Sequence, residues 1–143
     1  MTRNRAPLQS VGIAGLGTMG KALALALDSD ELNGLALGAV SVHDREKADQ
    51  WMRAQLKHPV DCVDFDALAT RCDWVVECAS PRLLHSIAEP ALRRGRRLVV
   101  MSGGGLLDAP DLIDLARTNG GQIILPTGGL LGLDAVSAAD RKS

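Results

Sequence analysis

Tyrosine is absent from these 143 residues, and the aromatic complement is only Trp51, Trp74 and Phe65. That excludes a core of stacked rings. Apolar volume must come from Leu, Val, Ile and Ala, which suits helices packed on a parallel sheet. Cysteine is scarce and odd in number. Cys62, Cys72 and Cys78 form no CxxC pair, which argues against a disulfide framework and a zinc site, and for a reducing compartment. No apolar run is long enough to span a bilayer. The first residues carry Arg3 and Arg5 with no apolar segment behind them, unlike a secretory signal. Neither sign of charge is in excess: the formal net charge is −1, so no bulk field draws in nucleic acid or an anionic membrane. The expectation is a cytoplasmic protein with one substantial core, no nucleic-acid partner and no metal.

What the sequence does have is a glycine turn in a telling place. Val11-Gly12-Ile13-Ala14 is a short apolar run. Gly15-Leu16-Gly17-Thr18-Met19-Gly20 follows, and Lys21 to Leu27 is a run of helix formers. A G-x-G-x-x-G between a strand and a helix is the fingerprint of a dinucleotide-binding turn. The first glycine lets the chain leave the strand sharply. The second has no Cβ, so a pyrophosphate can sit against the main chain. The third lets the helix pack close to the sheet. The free N–H groups and dipole of the helix's first turn then face the phosphates.

The rest alternates in the same way. Strands are expected over Gln9 to Ala14, Leu35 to Val42 (buried on both faces), Val60 to Val63, Trp74 to Cys78, Arg97 to Met101 and Gln122 to Leu125. Helices are expected over Thr18 to Leu27 and Glu46 to Leu56, with at most a short one over Asp66 to Arg71. Ser80 caps the next helix with Pro81 at its first position, and Pro90 should kink or break it between Ala88 and Ala91. Gly103 to Gly105 reads as a flexible loop. Asp108 is placed to cap a helix from Pro110 to Thr118 that stops at Asn119-Gly120-Gly121. Six strands alternating with helices predict an α/β fold of the Rossmann type, a doubly wound parallel sheet of order 3-2-1-4-5-6.

Asp44 stands at the end of the second strand, 24 positions after Gly20. A carboxylate there can accept from both hydroxyls of an adenosine ribose, which favours NAD over NADP; neighbouring Arg45 could pair with a 2′-phosphate, so NADP is allowed. Asp44 equally suits a helix N-cap, and both roles are compatible. Cys78 reads as a small buried apolar residue and Ser80 as a plain cap with no partner base. Glu77, inside a strand, is expected to hydrogen-bond to backbone or a neighbouring loop. His43, His58 and His85 make no metal-ligand spacing. Arg93, Arg94, Arg96 and Arg97 cluster at a helix end, where the dipole favours cations. With no aromatic interleaved, they read as a solvated face.

Three further segments follow the glycine turn in order: Val75-Val76-Glu77-Cys78-Ala79-Ser80-Pro81, then Val100-Met101-Ser102, then Leu125-Pro126-Thr127-Gly128-Gly129-Leu130-Leu131-Gly132-Leu133-Asp134-Ala135. Together they resemble the L-aspartate dehydrogenase family, whose nucleotide domain is similar to that of homoserine dehydrogenases. The resemblance runs from Val11 to about Ala139, and Pro126 to Asp134 is its most specific part. It implies NAD(P)-dependent oxidative deamination of L-aspartate to iminoaspartate, which feeds NAD biosynthesis or hydrolyses to oxaloacetate. It also implies that Gly15 to Gly20 and Asp44 hold the adenosine and pyrophosphate. Ala79, Ser80 and Ser102 would border the nicotinamide ribose, and Gly128 and Gly129 would line the nicotinamide pocket. The family often has Ala where Gly129 stands. Residues 1–126 would form the dinucleotide-binding domain, and 127–143 would open a truncated substrate domain whose catalytic histidine is not in this chain. An apolar patch at Leu130, Leu131, Leu133 and Val136 would then be exposed, making a homodimer an allowed assembly. A stand-alone dinucleotide-binding module and a dehydrogenase of another small substrate are the other open readings.

Overall fold

Successive side chains of Val11-Gly12-Ile13-Ala14 point to opposite sides of a pleat, and they enter two separate cores. Val11 and Ile13 pack with Ala24, Leu27, Val40 and Met52, while Ala14 packs with Leu68, Val75, Leu98 and Leu112. The chain is described here from a computed structural model that covers residues 8–29 and 32–126. The strands are β1 (Gln9–Ala14), β2 (Leu35–Ser41), β3 (Asp61–Cys62), β4 (Trp74–Glu77), β5 (Arg97–Val100) and β6 (Gln122–Ile124). The helices are α1 (Thr18–Asp28), α2 (Arg45–Gln55), α3 (Phe65–Arg71), α4 (Leu84–Arg93) and α5 (Asp111–Asn119). Short 3₁₀ segments over Pro81–Leu83 and Gly103–Asp108 precede α4 and α5.

All strand pairs are parallel, in the order β3-β2-β1-β4-β5-β6. This is the doubly wound sheet expected from the alternation. α1 and α2 cover one face, and α3, α4 and α5 the other. The winding reverses between β1 and β4, so the crevice at their carboxyl ends is where this architecture takes ligands. The largest fully buried side chains are aliphatic or Met apart from Glu77, among them Ile13, Met52, Leu68, Ile87 and Leu98. No aromatic residue is among them, as the composition required.

Five local expectations are corrected. β2 is buried on both faces only in its second half; Leu35 to Gly38 are half-exposed. The reason is its outer neighbour: β3 has two residues and pairs only with Ala39 and Val40. Pro90 does not break α4, which runs unbroken from Leu84 to Arg93. Buried Leu84, Ile87, Ala88, Ala91 and Leu92 lie on both sides of the proline, and that packing outweighs one missing backbone bond. Gly103 to Gly105 are not a loose loop but the start of a 3₁₀ turn, with Gly105 N–H donating to Ser102 O at 3.0 Å and half-buried Leu106 docked on the core. Asp108 ends that turn and does not cap α5, which begins at Asp111 without a side-chain cap; its acids are Asp111 and Asp114 in the first turn. α5 stops where expected, at Gly120 in the left-handed conformation (φ 73°).

The arginine cluster is not simply solvated. The half-buried guanidinium of Arg96 donates to Ala69 O (2.9 Å) and Thr70 O (3.0 Å), closing the last carbonyls of α3. Arg97 lies over the Trp74 ring at 5.0 Å, Arg93 pairs with Glu89, and Arg94 with Asp66. The division at residue 126, the patch from Leu130 to Val136, and Gly128 and Gly129 lie outside the described residues.

Candidate functional site

The three glycines of the turn are there for three different reasons. Gly15 has φ +101°, a conformation L side chains rarely adopt, and a Cβ there would stand 2.6 Å from Cys78 O. Gly20 crosses so close above the turn that a Cβ would collide with the carbonyl of Gly15. A Cβ on Gly17 would meet nothing within 4 Å. The protein's own packing therefore requires Gly15 and Gly20 but not Gly17, whose bare backbone instead leaves open space in front of the helix.

That helix start is also undressed. Gly17 is the N-cap of α1, no side chain bonds its first turn, and the turn holds no acidic residue. The first helical bond runs from Lys21 N–H to Gly17 O at 2.9 Å, so the N–H groups of Thr18, Met19 and Gly20 have no helical acceptor. Thr18 and Met19 are exposed. Leu16, half-buried, packs on the apolar cluster beneath α1. Unclaimed donors at the positive end of a dipole, over a floor without a Cβ, fit a pyrophosphate.

Asp44 follows β2 and caps α2, its Oδ1 accepting from Lys47 N–H at 3.1 Å. Its exposed carboxylate lines a cleft of about 450 Å³ between α1 and α2, shared with Leu16, Lys21, Lys47, Ala48 and Trp51. Lys21 Nζ sits 5.5 Å from the centre of the Trp51 ring, a cation–π contact. Among the described residues neither Lys21 nor Lys47 has a carboxylate within 4 Å. Arg45, the first residue of α2, is exposed beside them. The sequence reading did not single out Lys21, Lys47 or Trp51. A signal was present: Asp44, Lys47, Ala48 and Trp51 are spaced i, i+3, i+4, i+7, one face of one helix.

Across the crevice, Glu77 ends β4 between Ala14 of β1 and Val100 of β5. It is completely buried. Its Oε2 accepts from Ala79 N–H at 3.0 Å; its Oε1 accepts from Ser102 N–H at 2.9 Å and from the Ser102 hydroxyl at 2.7 Å. The expected bonding to backbone and a neighbouring loop is what the structure has. Ser80 Oγ accepts from Arg82 N–H at 3.4 Å, a long cap as anticipated. Burial, and then the neighbouring Glu77 carboxylate, push the Cys78 thiol up to about 11, so at neutral pH it is a protonated, half-buried filler and no nucleophile.

His43 and His58 are exposed. His85 joins α4 to α5, with Nε2 2.8 Å from Asp111 and Nδ1 3.4 Å from Glu89. An open polar cleft of about 460 Å³ lies beside it, between α4 and α5. Among the described residues no group of His, Cys, Asp and Glu could hold a metal ion, and no helix is long and apolar enough to cross a membrane.

The geometry has counterparts among known proteins. An L-aspartate dehydrogenase of Bradyrhizobium diazoefficiens is 52% identical over 129 residues, which cover 90% of this chain and 45% of that protein. L-aspartate dehydrogenase 3 of Bordetella bronchiseptica is 46% identical over 129 residues, covering 90% and 47%. The likeness to L-aspartate dehydrogenases carried by the sequence segments is thereby borne out. The chain spans about half the length of the curated relatives it matches. The crystal structure of a biliverdin reductase from Synechocystis shares the fold, with a TM-score of 0.69 at 21% identity over 81% of this chain and 37% of that one. The family model for the homoserine dehydrogenase NAD binding domain matches residues 15–126. From the first glycine of the turn to the residues just past β6, therefore, the chain belongs to the homoserine dehydrogenase NAD-binding domain family.

Proposed function

We propose that this chain is the NAD(P)-binding portion of an L-aspartate dehydrogenase, an enzyme that oxidatively deaminates L-aspartate to iminoaspartate towards NAD biosynthesis. The observation that carries the dinucleotide part is the start of α1: a glycine that packing does not require, and a first turn with neither a side-chain cap nor an acidic residue. The aspartate part is supported by the relatives' names and by the segment from Pro126 to Asp134.

In this reading Gly15, Leu16, Gly17, Thr18, Met19 and Gly20 hold the pyrophosphate through backbone N–H groups. Asp44 takes the adenosine ribose hydroxyls on the carboxylate oxygen not spent on Lys47. Lys21 and Lys47 line the same cleft, and Arg45 is the exposed first residue of α2 next to Asp44. NAD is thus the principal cofactor, and a 2′-phosphate would find enough cations to be accepted. Ala79, Ser80 and Ser102 border the nicotinamide ribose, and Gly128 and Gly129 line the nicotinamide pocket. The nicotinamide supplies the hydride chemistry; this chain supplies orientation. No residue of this chain is assigned a catalytic role. Residues 1–126 form the dinucleotide domain, and 127–143 open the substrate side. The cytoplasm is the compartment, supported by three unpaired cysteines. The assembly in this reading is a homodimer, and sedimentation as a monomer at tens of micromolar would count against it.

Calorimetric titration with NADH and NADPH tests the reading. NADH should saturate the site, and Asp44→Ala should weaken it about tenfold or more, the loss of charge-assisted bonds to two hydroxyls. A folded chain that binds neither nucleotide overturns the proposal.

A further inference from the structure

Glu77 is a fully buried carboxylate for which the binding roles above find no use. Burying it is costly unless every oxygen is satisfied, and here the satisfaction comes from two loops at once. Ala79 N–H comes from the segment after β4, and Ser102 N–H from the segment after β5. These two segments leave the sheet at the carboxyl ends of adjacent strands, beside the crevice where the winding reverses. Glu77 is therefore a polar pin between two loops of the crevice wall, which also touch further along where Gly105 packs beside Pro81.

The pin also settles a polarity. Each carboxylate oxygen already faces a backbone N–H, which can only donate. The Ser102 hydroxyl, 2.7 Å from Oε1, is the one group there that can rotate, and its single proton goes to Glu77. Its lone pairs are left over. Ser102 is half-buried, not sealed off, and it heads the segment that leaves β5 beside the crevice. We infer that Glu77 fixes Ser102 Oγ as a hydrogen-bond acceptor for an O–H or N–H donor on the half of the dinucleotide beyond the pyrophosphate, with Glu77 a positioning residue and Ser102 the contact. The inference rests on the dinucleotide reading. Two donors of that half share the chemistry: a hydroxyl of the second ribose and the carboxamide of the nicotinamide.

Three ligands separate the cases. ADP ends at the pyrophosphate, ADP-ribose adds the second ribose, and NADH adds the nicotinamide. With the full chain in a calorimeter, Ser102→Ala should leave ADP unchanged and weaken NADH about fivefold to tenfold, one hydrogen bond's worth. If ADP-ribose weakens with it, the donor is the ribose hydroxyl; if only NADH weakens, it is the carboxamide. Glu77→Gln puts an amide donor where an acceptor is needed and should reproduce the ADP-versus-NADH split. In a Ser102→Ala background it should lose most of that effect, because it acts through the serine. A merely structural Glu77 would weaken ADP as much as NADH. Equal weakening of ADP by either variant, or unchanged NADH affinity in Ser102→Ala, overturns the inference. A wild-type chain that binds neither ADP nor NADH overturns the inference and the dinucleotide reading together, whereas ADP binding with an indifferent Ser102→Ala overturns this inference alone.

Discussion

Two helices on the same face of the sheet follow neighbouring strands and begin in opposite ways. α2 starts on Asp44, which bonds Lys47 N–H, and carries Glu46 in its first turn. α1 starts on Gly17, with no cap and no acid. α3 follows the α2 pattern, with Asp64 accepting from Ala67 N–H at 2.7 Å. A capping carboxylate stabilises a helix by about 1 kcal/mol, so its absence at α1 forgoes stability in exchange for exposed donors. The difference between this pair is that a carboxylate closes the start of α2, whereas the start of α1 keeps its donors free for the anion we propose there.

Several substitutions would break or sharpen that contrast. The largest effect is expected at Gly15→Ala, where a left-handed residue and a Cβ 2.6 Å from Cys78 O coincide. Strain and overpacking together should lower unfolding free energy by about 3 to 5 kcal/mol, read from a denaturant midpoint. Gly17→Asp separates binding from folding. It gives α1 the cap that α2 has, so stability should rise by about 0.5 kcal/mol, while NADH affinity falls by more than about tenfold from charge repulsion at the phosphates. If both fall, the turn is structural throughout. Asp44→Ala and Asp64→Ala form a matched pair: each loses a cap and about 1 kcal/mol, yet only the first should weaken NADH.

The smallest effect belongs to α5. The His85 hydrogen bond, assisted by its charge, holds the Asp111 carboxyl below its ordinary value. A depressed carboxylate contributes stability that is complete above its unfolded pKa, about 3.9, and is lost as pH falls through the folded value. Wild type should therefore exceed Asp111→Asn in thermal midpoint at pH 5, and the gap should close as pH drops below about 4. The pair is exposed, so the gap should be small. A gap that widens in acid would reverse the assignment.

Much of this was legible in the chain because it is local. The glycine turn, the six strands and the Asp44 cap all follow from short spacings and the alternation of apolar runs. Features set by distant residues were not legible. Arg96 closes α3 through a contact between positions 27 apart, and nothing in the run Arg93 to Arg97 announces it. Pro90 is held in a continuous helix by apolar neighbours whose burial only the fold decides. The lysines and tryptophan of the α1–α2 cleft lie between the two regimes: Lys47 and Trp51 share a helical face with Asp44, but Lys21 meets them only once both helices lie on the sheet.

The two-residue strand β3 has a consequence for life in a crowded solution. An outer strand of ordinary length would offer passing chains a ladder of unpaired donors and acceptors to extend. β3 offers almost none: Pro59 stands just before it, and Asp61 puts an exposed charge on its first position. The half-exposed start of β2 is left short of cover for the same reason. The outermost strand thus gives a passing chain little to extend, and the edge that stays open on this side is the stretch of β2 from Leu35 to Gly38, which β3 does not reach.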